Sequence, residues 1–430
     1  MTEQTMSRRA EGWWVLIAFV LLNLSYASTQ SLTRINDGFG HDGRVYHAMA
    51  KEFPRQIPPN APAPYVYRPG MPFVASAVAK SLDWVISAGF DRLNIVFNAV
   101  SVLGLTILLR RHVSSAPARL VAVLAFMIEP HSPVRHAYFS PMDLAPVTMA
   151  GLMTGLCCVG WYQLRPSVVR MSAVAVVVGI GVLFHEAIFL IGVCALGCAA
   201  PEDTSDDWRW LPLTCGTVCL LAVRLWVIET PTGFSGYDEL LRGFQQKSLL
   251  QYGLASLLVF GPLIAVPVFF WRRSVRFLIE RPVFLVYLSL SALLAWSVGG
   301  DAERLLVFAS PVAYILTAQG IMWARLEPKT GVLVGLFLLQ AASSRIFAQI
   351  GGPIDPPEVG SEVWERLGWA GAKWALSYDN MWSLTSAPLM TYVYAIWYGL
   401  IGVGIIVFLR AHAGAGPTTQ SPDEQAVFHS

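Results

Sequence analysis

Apolar runs close to 20 residues long follow one another from Trp13 to Phe408 with short polar connections between them, and this pattern restricts the chain more than any single motif. A helical run of about 20 residues matches the hydrocarbon core of a bilayer, and a helix satisfies its own backbone hydrogen bonds where water is absent. Only 13% of the 430 residues are charged against 55% hydrophobic, and mean hydropathy is +0.52. A soluble domain carries about twice that charged fraction. The chain is therefore expected to be an all-α polytopic membrane protein. A formal net charge of +2, with basic residues scattered between apolar runs, excludes nucleic acid as a partner.

Run lengths place spans near 13–30, 93–109, 117–130, 142–164, 168–184, 185–200, 210–228, 249–271, 277–298, 305–323, 331–348 and 386–409, about twelve in all. Arg8/Arg9, Arg110/Arg111, Arg165/Arg170, Arg209, Arg272/Arg273/Arg276, Arg325/Lys329 and Arg410 occupy alternate connections, which assigns them and both termini to the cytoplasm. The first run exceeds a signal-peptide core and no small-residue cleavage site follows it, so it reads as an uncleaved span. Lys80, Asp83 and Asp91 interrupt the segment 71–90, which is expected to lie as a helix along the outer surface. His185-Glu186 reads as the outer tip of a tight helical hairpin. The resulting organisation is a single transmembrane domain over 1–413, with a first outer loop at 31–92 and a long outer loop at 349–385, followed by a disordered cytoplasmic tail at 414–430. Within 361–375, Val363, Leu367, Ala370 and Trp374 recur at helical spacing, as in an amphipathic helix at headgroup level.

All six cysteines fall inside apolar segments, which leaves no disulfide framework for the outer loops. Cys194-x-x-x-Cys198 and Cys215-x-x-x-Cys219 read as small residues between packed helices rather than as a soft-metal site.

Ionisable groups gather on the other face. They lie in Asp37 to Arg68, in Glu129-Pro130-His131 through Arg135-His136 to Asp143, in His185-Glu186, in Tyr237-Asp238, in Gly299 to Arg304 and in 349–385. Asp42-Gly43-x-x-Tyr46 is the sharpest local signal. Gly43 permits a turn, Tyr46 and Ala50 share a helix face, and Asp42 near the helix start is held as an anion by the dipole. Such a carboxylate can take a proton from a hydroxyl. Capping the helix is the alternative role. Arg68, Arg135 and Arg304 are candidates to grip a phosphate bidentately at headgroup depth, although Arg304 is equally suited to pair with Asp301. His185-Glu186 could orient a substrate hydroxyl or simply be solvated at a turn, and Asp143 reads as a cap. His41 and His47 flank Asp42, but no third ligand stands at a characteristic spacing, so no cofactor is expected and a divalent metal is not favoured.

This assembly resembles the GT-C superfamily of membrane glycosyltransferases. The resemblance rests on the first span, the acidic Asp42-Gly43-x-x-Tyr46 of the first outer loop, the surface helix, the Tyr67-Arg68-Pro69 step and the many later spans. It implies a polyprenyl-phosphate-linked sugar donor, a glycan, lipid or protein acceptor, and inverting transfer at the outer face. Asp42 would be the base, with Asp37 the other candidate. Arg68, Arg304 and Arg135 would hold the donor phosphate, and Tyr46, His47, Tyr67, His185, Glu186 and Asp301 would line the substrate. A polytopic transporter is the main alternative, but transporters place ionisable groups at the bilayer midplane in repeated halves, whereas here they sit at span ends without a repeat. A surface-polysaccharide ligase or polymerase, using loop 349–385, is a third reading. The only Asn-x-Ser/Thr sequence, at Asn23, lies within a span, which fits a bacterial plasma membrane.

Overall fold

The computed structural model describes residues 7–30, 40–53, 63–198, 208–227, 249–297, 302–326, 328–344 and 389–413, and among these the secondary structure is helical throughout. Asp37, Asp301, Tyr237-Asp238, the loop 349–385 with its expected helix, and the tail 414–430 lie outside the described residues.

In chain order the helices are α1 (Arg8–Thr29), α2 (Gly40–Glu52), α3 (Gly70–Ser81), α4 (Ile86–His112), α5 (Ala116–Ile128), α6 (Pro133–Phe139), α7 (Ala145–Leu164), α8 (Val168–Gly181) and α9 (Phe189–Leu196). They continue with α10 (Leu211–Trp226), α11 (Leu249–Phe260), α12 (Ala265–Phe269), α13 (Trp271–Ile279), α14 (Pro282–Ser297), α15 (Ala302–Leu306), α16 (Ser310–Trp323), α17 (Thr330–Ser344) and α18 (Leu389–Ala413).

Helix α1 shows how these sequences choose their neighbours. Ser7 caps it by accepting the Ala10 N–H at 3.2 Å. Glu11, Val15, Phe19, Asn23 and Tyr26, spaced three or four apart, form its buried stripe, while Trp13, Trp14, Ile17, Leu21 and Leu24 face outward. So much exposed apolar surface would aggregate in water, and it is the surface a bilayer requires. The chain is an integral membrane protein.

Close helix contacts rest on small residues. A Cβ on Gly104 would stand 2.7 Å from that of Met153, so glycine lets α4 and α7 approach each other. Likewise Gly216 brings α10 against Val178 of α8 and Phe189 of α9, each 2.9 Å from where its Cβ would be. At one end of the bundle Glu11 is sealed by Arg119, with Nε–Oε1 at 2.9 Å and Nη2–Oε2 at 2.8 Å. The opposite end carries the loops described below.

Several expectations from run length are corrected. Among the described residues four helices are long and apolar enough to cross a bilayer alone, namely Arg8–Thr29, Ile86–His112, Ala145–Leu164 and Arg304–Trp323. The segment 71–90 is two helices, broken at Leu82–Val85 where Asp83 takes a φ of 55°, and residues from Ile86 onward belong to the long span α4. The segment expected as a span over 185–200 contains the short helix Glu186–Leu196, which at about 1.5 Å per residue falls short of a bilayer. The run 249–271 is interrupted at Gly261, whose φ of 65° and following Pro262 end α11. Gln340 of α17 satisfies the broken backbone, donating to the Phe260 carbonyl at 3.0 Å and accepting the Leu263 N–H at 3.3 Å. The next expected span is bent as well, because α13 and α14 meet at 113°.

Candidate active site

Three separate pieces of chain build one end of the bundle. The first is α2, which begins at Gly40 and carries Asp42 in its first turn. Tyr46, Met49 and Ala50 form its buried face and pack with Met71, Ala75, Phe90 and Leu144 in a small core of their own. That core fixes the height and rotation of Asp42.

The second piece is the Tyr67-Arg68-Pro69-Gly70 step. The Gly70 N–H donates to the Leu183 carbonyl at 2.8 Å, and a Cβ at this position would stand 2.9 Å from the Phe184 ring. Only glycine permits that approach. The step thereby docks on the turn that ends α8, and Arg68 faces the residues at the hairpin tip.

Loop 129–144 is the third. Two asparagines of α4, both fully buried, hold it down: Asn94 donates to the Pro141 carbonyl, and Asn98 to the Pro133 carbonyl at 3.1 Å. Asp143 is positioned at its end. Its Oδ1 accepts the Ala145 N–H at 2.8 Å, as a helix cap does. Its Oδ2 instead accepts from Arg304 Nη2 at 2.8 Å and lies 3.0 Å from His136 Nε2.

These pieces enclose a cavity of about 610 Å³ whose polar lining includes Asp42, Tyr46, Tyr65, Tyr67, Arg68, His131, His136, Asp143, His185, Glu186, Arg224 and Arg304, with Leu220, Leu294 and Phe308 among the apolar residues. A few convergent polar groups in an otherwise apolar pocket is the usual build of a small-molecule site. Arg304 is its electrostatic centre. The same Nη2 that binds Asp143 lies 3.4 Å from Asp42 Oδ2, so one guanidinium spans two carboxylates. Burial pushes the Asp143 carboxyl up, but Arg304, His136 and the Ala145 N–H outweigh it and hold the group well below the usual carboxylate range. Tyr65 is pushed up to about 12 by burial and by the Asp42 charge.

On the facing wall Arg68 grips Glu186 with two nitrogens, Nε to Oε2 at 2.7 Å and Nη2 to Oε1, and its Nη1 donates to the Tyr46 hydroxyl at 3.2 Å. Burial disfavours the Arg68 charge, yet Glu186 and Tyr46 raise its proton affinity above the ordinary value. Glu186 is pushed up by burial and brought well below its usual value by Arg68 and His185. With 47% of its side chain open, that attraction is partly screened. His185 accepts the Ala187 N–H on Nδ1 at 3.1 Å, and its ring meets Phe308 edge to face at 5.8 Å between centroids. Burial, aided by Arg68, lowers it to about 4, so the imidazole is neutral at physiological pH.

Of the residues singled out from sequence, Asp42, Tyr46, Tyr67, Arg68, His185, Glu186 and Arg304 line this cavity. Two do not. Arg135 is fully buried within the bundle, where its Nη1 donates to the Ser344 carbonyl at 2.6 Å and its guanidinium lies over the Tyr26 ring at 5.8 Å. The expected phosphate contact is thus replaced by one that ties α6 to α1 and α17. His47 is half-buried outside the cavity lining, one residue past the inward-facing Tyr46 on the helix. Sequence reasoning also passed over Asp143 as a site residue, as well as His136, Tyr65 and Arg224. Asp143 had a sufficient explanation as a cap, and only the crowding of His131, Arg135 and His136 in the same loop pointed further. Arg224, near the end of α10, lies over the Tyr67 ring at 5.0 Å and reads in sequence as an ordinary span terminus.

No family model matches this sequence, and neither does any curated protein. Solved structures do resemble it. The oligosaccharyltransferase of Archaeoglobus fulgidus in its apo form superposes with a TM-score of 0.53 at 12% identity, covering 91% of this chain and 64% of its own. The same organism's oligosaccharyltransferase AglB, in complex with an inhibitory peptide and a dolichol-phosphate, gives 0.50 at 13% identity, with coverages of 91% and 64%. ArnT from Cupriavidus metallidurans bound to undecaprenyl phosphate gives 0.51 at 15% identity, covering 95% of this chain and 78% of ArnT. The chain thus spans a little under two thirds of the archaeal protein. At these identities the likeness is one of architecture, and this chain shares the fold of these solved structures.

Proposed function

We propose that the cavity receives the head of a polyprenyl-phosphate-linked sugar and transfers that sugar to an acceptor hydroxyl at the outer surface of a bacterial plasma membrane. The observation that carries this reading is the meeting of Asp42 and Arg304, separated by 262 positions in sequence and by 3.4 Å across one cavity. An anionic base and a cation that can neutralise a leaving phosphate are the two groups such a transfer needs.

Asp42 takes the proton of the acceptor hydroxyl as its oxygen forms a bond to the anomeric carbon. The bond from that carbon to the phosphate oxygen breaks on the opposite side, and its electron pair leaves with the polyprenyl phosphate. The configuration inverts. Arg304 and Arg68 neutralise the leaving group, which is where most of the stabilisation arises, because fixed cations in a water-poor site need no reorganisation. Arg304 now faces two carboxylates, and an entering phosphate would share it and release Asp42 to the acceptor. His185, Glu186 and Tyr67 form the wall on which sugar hydroxyls would be oriented. Because Arg304 already supplies positive charge between Asp42 and Asp143, we assign the reaction no divalent metal, and a chelator should leave turnover unchanged.

The test is lipid analysis of cells with and without the protein, together with an Asp42→Asn variant. Loss of either the protein or the Asp42 carboxylate should accumulate the same polyprenyl-phosphate sugar. Undiminished transfer by Asp42→Asn protein would remove Asp42 as base, and lipid profiles that never differ would remove the activity.

A further inference from the structure

At the end of the bundle away from the cavity, α13 has three distinct sides. Ser274, Phe277 and Leu278 face the protein and are buried. Phe277 packs on His112 and Phe284, with ring centroids 6.5 and 6.3 Å away. Trp271, Val275 and Ile279, each four residues from the next, form a second stripe that is 57%, 45% and 62% exposed. Arg272, Arg273 and Arg276 fill the third side, adjacent to the apolar stripe, and all three are exposed.

Among the described residues these charges are uncompensated. Glu280 is taken by Arg281 at 3.4 Å, and among the described residues none of the three arginines has a carboxylate partner. Arg272 and Arg273 lie over the Trp271 and Phe270 rings at 5.4 and 5.7 Å, which steadies their stems without neutralising them. The helix also turns 113° away from α14. A short amphipathic helix set at such an angle to the apolar helix after it can lie along a bilayer surface, with an apolar side for acyl chains and a basic side at the depth of lipid phosphates.

We propose that α13 is a binding site for anionic phospholipid headgroups, with Arg272, Arg273 and Arg276 on the phosphates and Trp271, Val275 and Ile279 seated among the acyl chains. It is separate from the cavity and selects lipid by charge. Each arginine near such a surface contributes about a fivefold change in affinity, so the three together give on the order of 100-fold.

The test titrates phosphatidylglycerol, phosphatidylcholine or inorganic phosphate into delipidated full-length protein in neutral detergent and follows the unfolding midpoint. Phosphatidylglycerol should raise the midpoint at concentrations where phosphatidylcholine and inorganic phosphate do not. The triple variant Arg272→Gln, Arg273→Gln, Arg276→Gln should need about 100-fold more phosphatidylglycerol, whereas Arg165→Gln with Arg170→Gln should leave the response unchanged. An unaltered response in the triple variant, or equal shifts from phosphatidylcholine or from inorganic phosphate alone, would overturn the proposal. Should the triple variant not fold, a photoreactive phosphatidylglycerol on the wild-type chain decides: label within 271–279 supports the site, and label confined elsewhere rejects it.

Discussion

Two arginine–carboxylate pairs of the same two-pronged geometry sit at opposite ends of the bundle. Arg119 and Glu11 are 9% and 1% exposed, and Arg119 also donates to the Val113 and Ser114 carbonyls at 2.8 and 2.7 Å while Arg110 approaches Glu11 at 3.4 Å. Arg68 and Glu186 are 12% and 47% exposed, and the carboxylate lines the cavity. Chemically the pairs are the same. Solvent access separates them, because a sealed pair that loses one member strands a buried charge, whereas an open one can exchange partners with water or with an anionic ligand. By this reasoning the first pair holds the bundle together and the second holds an arginine ready.

Experiments can press on that contrast, beginning with the largest expected effect. Asp42→Asn at the open end should lower sugar transfer by about 10²- to 10⁴-fold, the usual contribution of a positioned base, with the unfolding midpoint little changed. A large fall in the midpoint would make Asp42 a structural residue. Glu11→Ala at the sealed end should do the reverse, destabilising the protein by about 3–5 kcal/mol while turnover per folded molecule is retained. Denaturant titration in detergent reads this, and a small effect would show the pair to be dispensable.

Acid provides a third probe. His185 titrates at about 4 in the folded protein, below the 6.5 of an exposed histidine, so the unfolded chain takes up its proton first as pH falls. Its contribution is therefore undiminished above pH 6.5 and is lost progressively down to about pH 4, on the order of 3 kcal/mol in total. Asp143 and Glu186, held below the ordinary carboxylate range, remain ionised through that window. His185→Gln should flatten the pH dependence of stability between those limits, and an unchanged slope would assign it to other groups. The smallest effect belongs to Glu186→Gln. Stability should change by less than about 1 kcal/mol, and the donor KM should fall as Arg68 is freed. A loss comparable to that from Glu11→Ala would erase the distinction between the two ends.

Run length made the long helices legible. The spans at α1, α4, α7 and the run from Arg304 in α15 to the end of α16 follow from apolar stretches that no soluble fold would tolerate. It also misled where a break was written in two residues, since Gly261-Pro262 interrupts a stretch that is apolar throughout and depends on Gln340 from a helix 80 positions away from Phe260 to complete it. The loops show the same division. Asp42, Arg68 and Arg304 could be named because polar residues beside a bilayer need a reason to be there, but loop sequence says nothing about which way a side chain turns. Arg135 and His136 are neighbours on a seven-residue helix, yet one is spent on Ser344 and Tyr26 and the other reaches Asp143. The packing of α6 against α1, α4, α5 and α7 decides that.

The bond from the Gly70 N–H to the Leu183 carbonyl has a practical consequence for anyone recombining such chains. It joins the first outer segment to the end of α8, so Arg68 and Glu186 travel as one rigid unit although 118 positions separate them. A chimera that imports a foreign first loop without residues 182–186 would deliver the guanidinium to a mismatched seat, whereas exchanging both segments together should preserve the register of that wall.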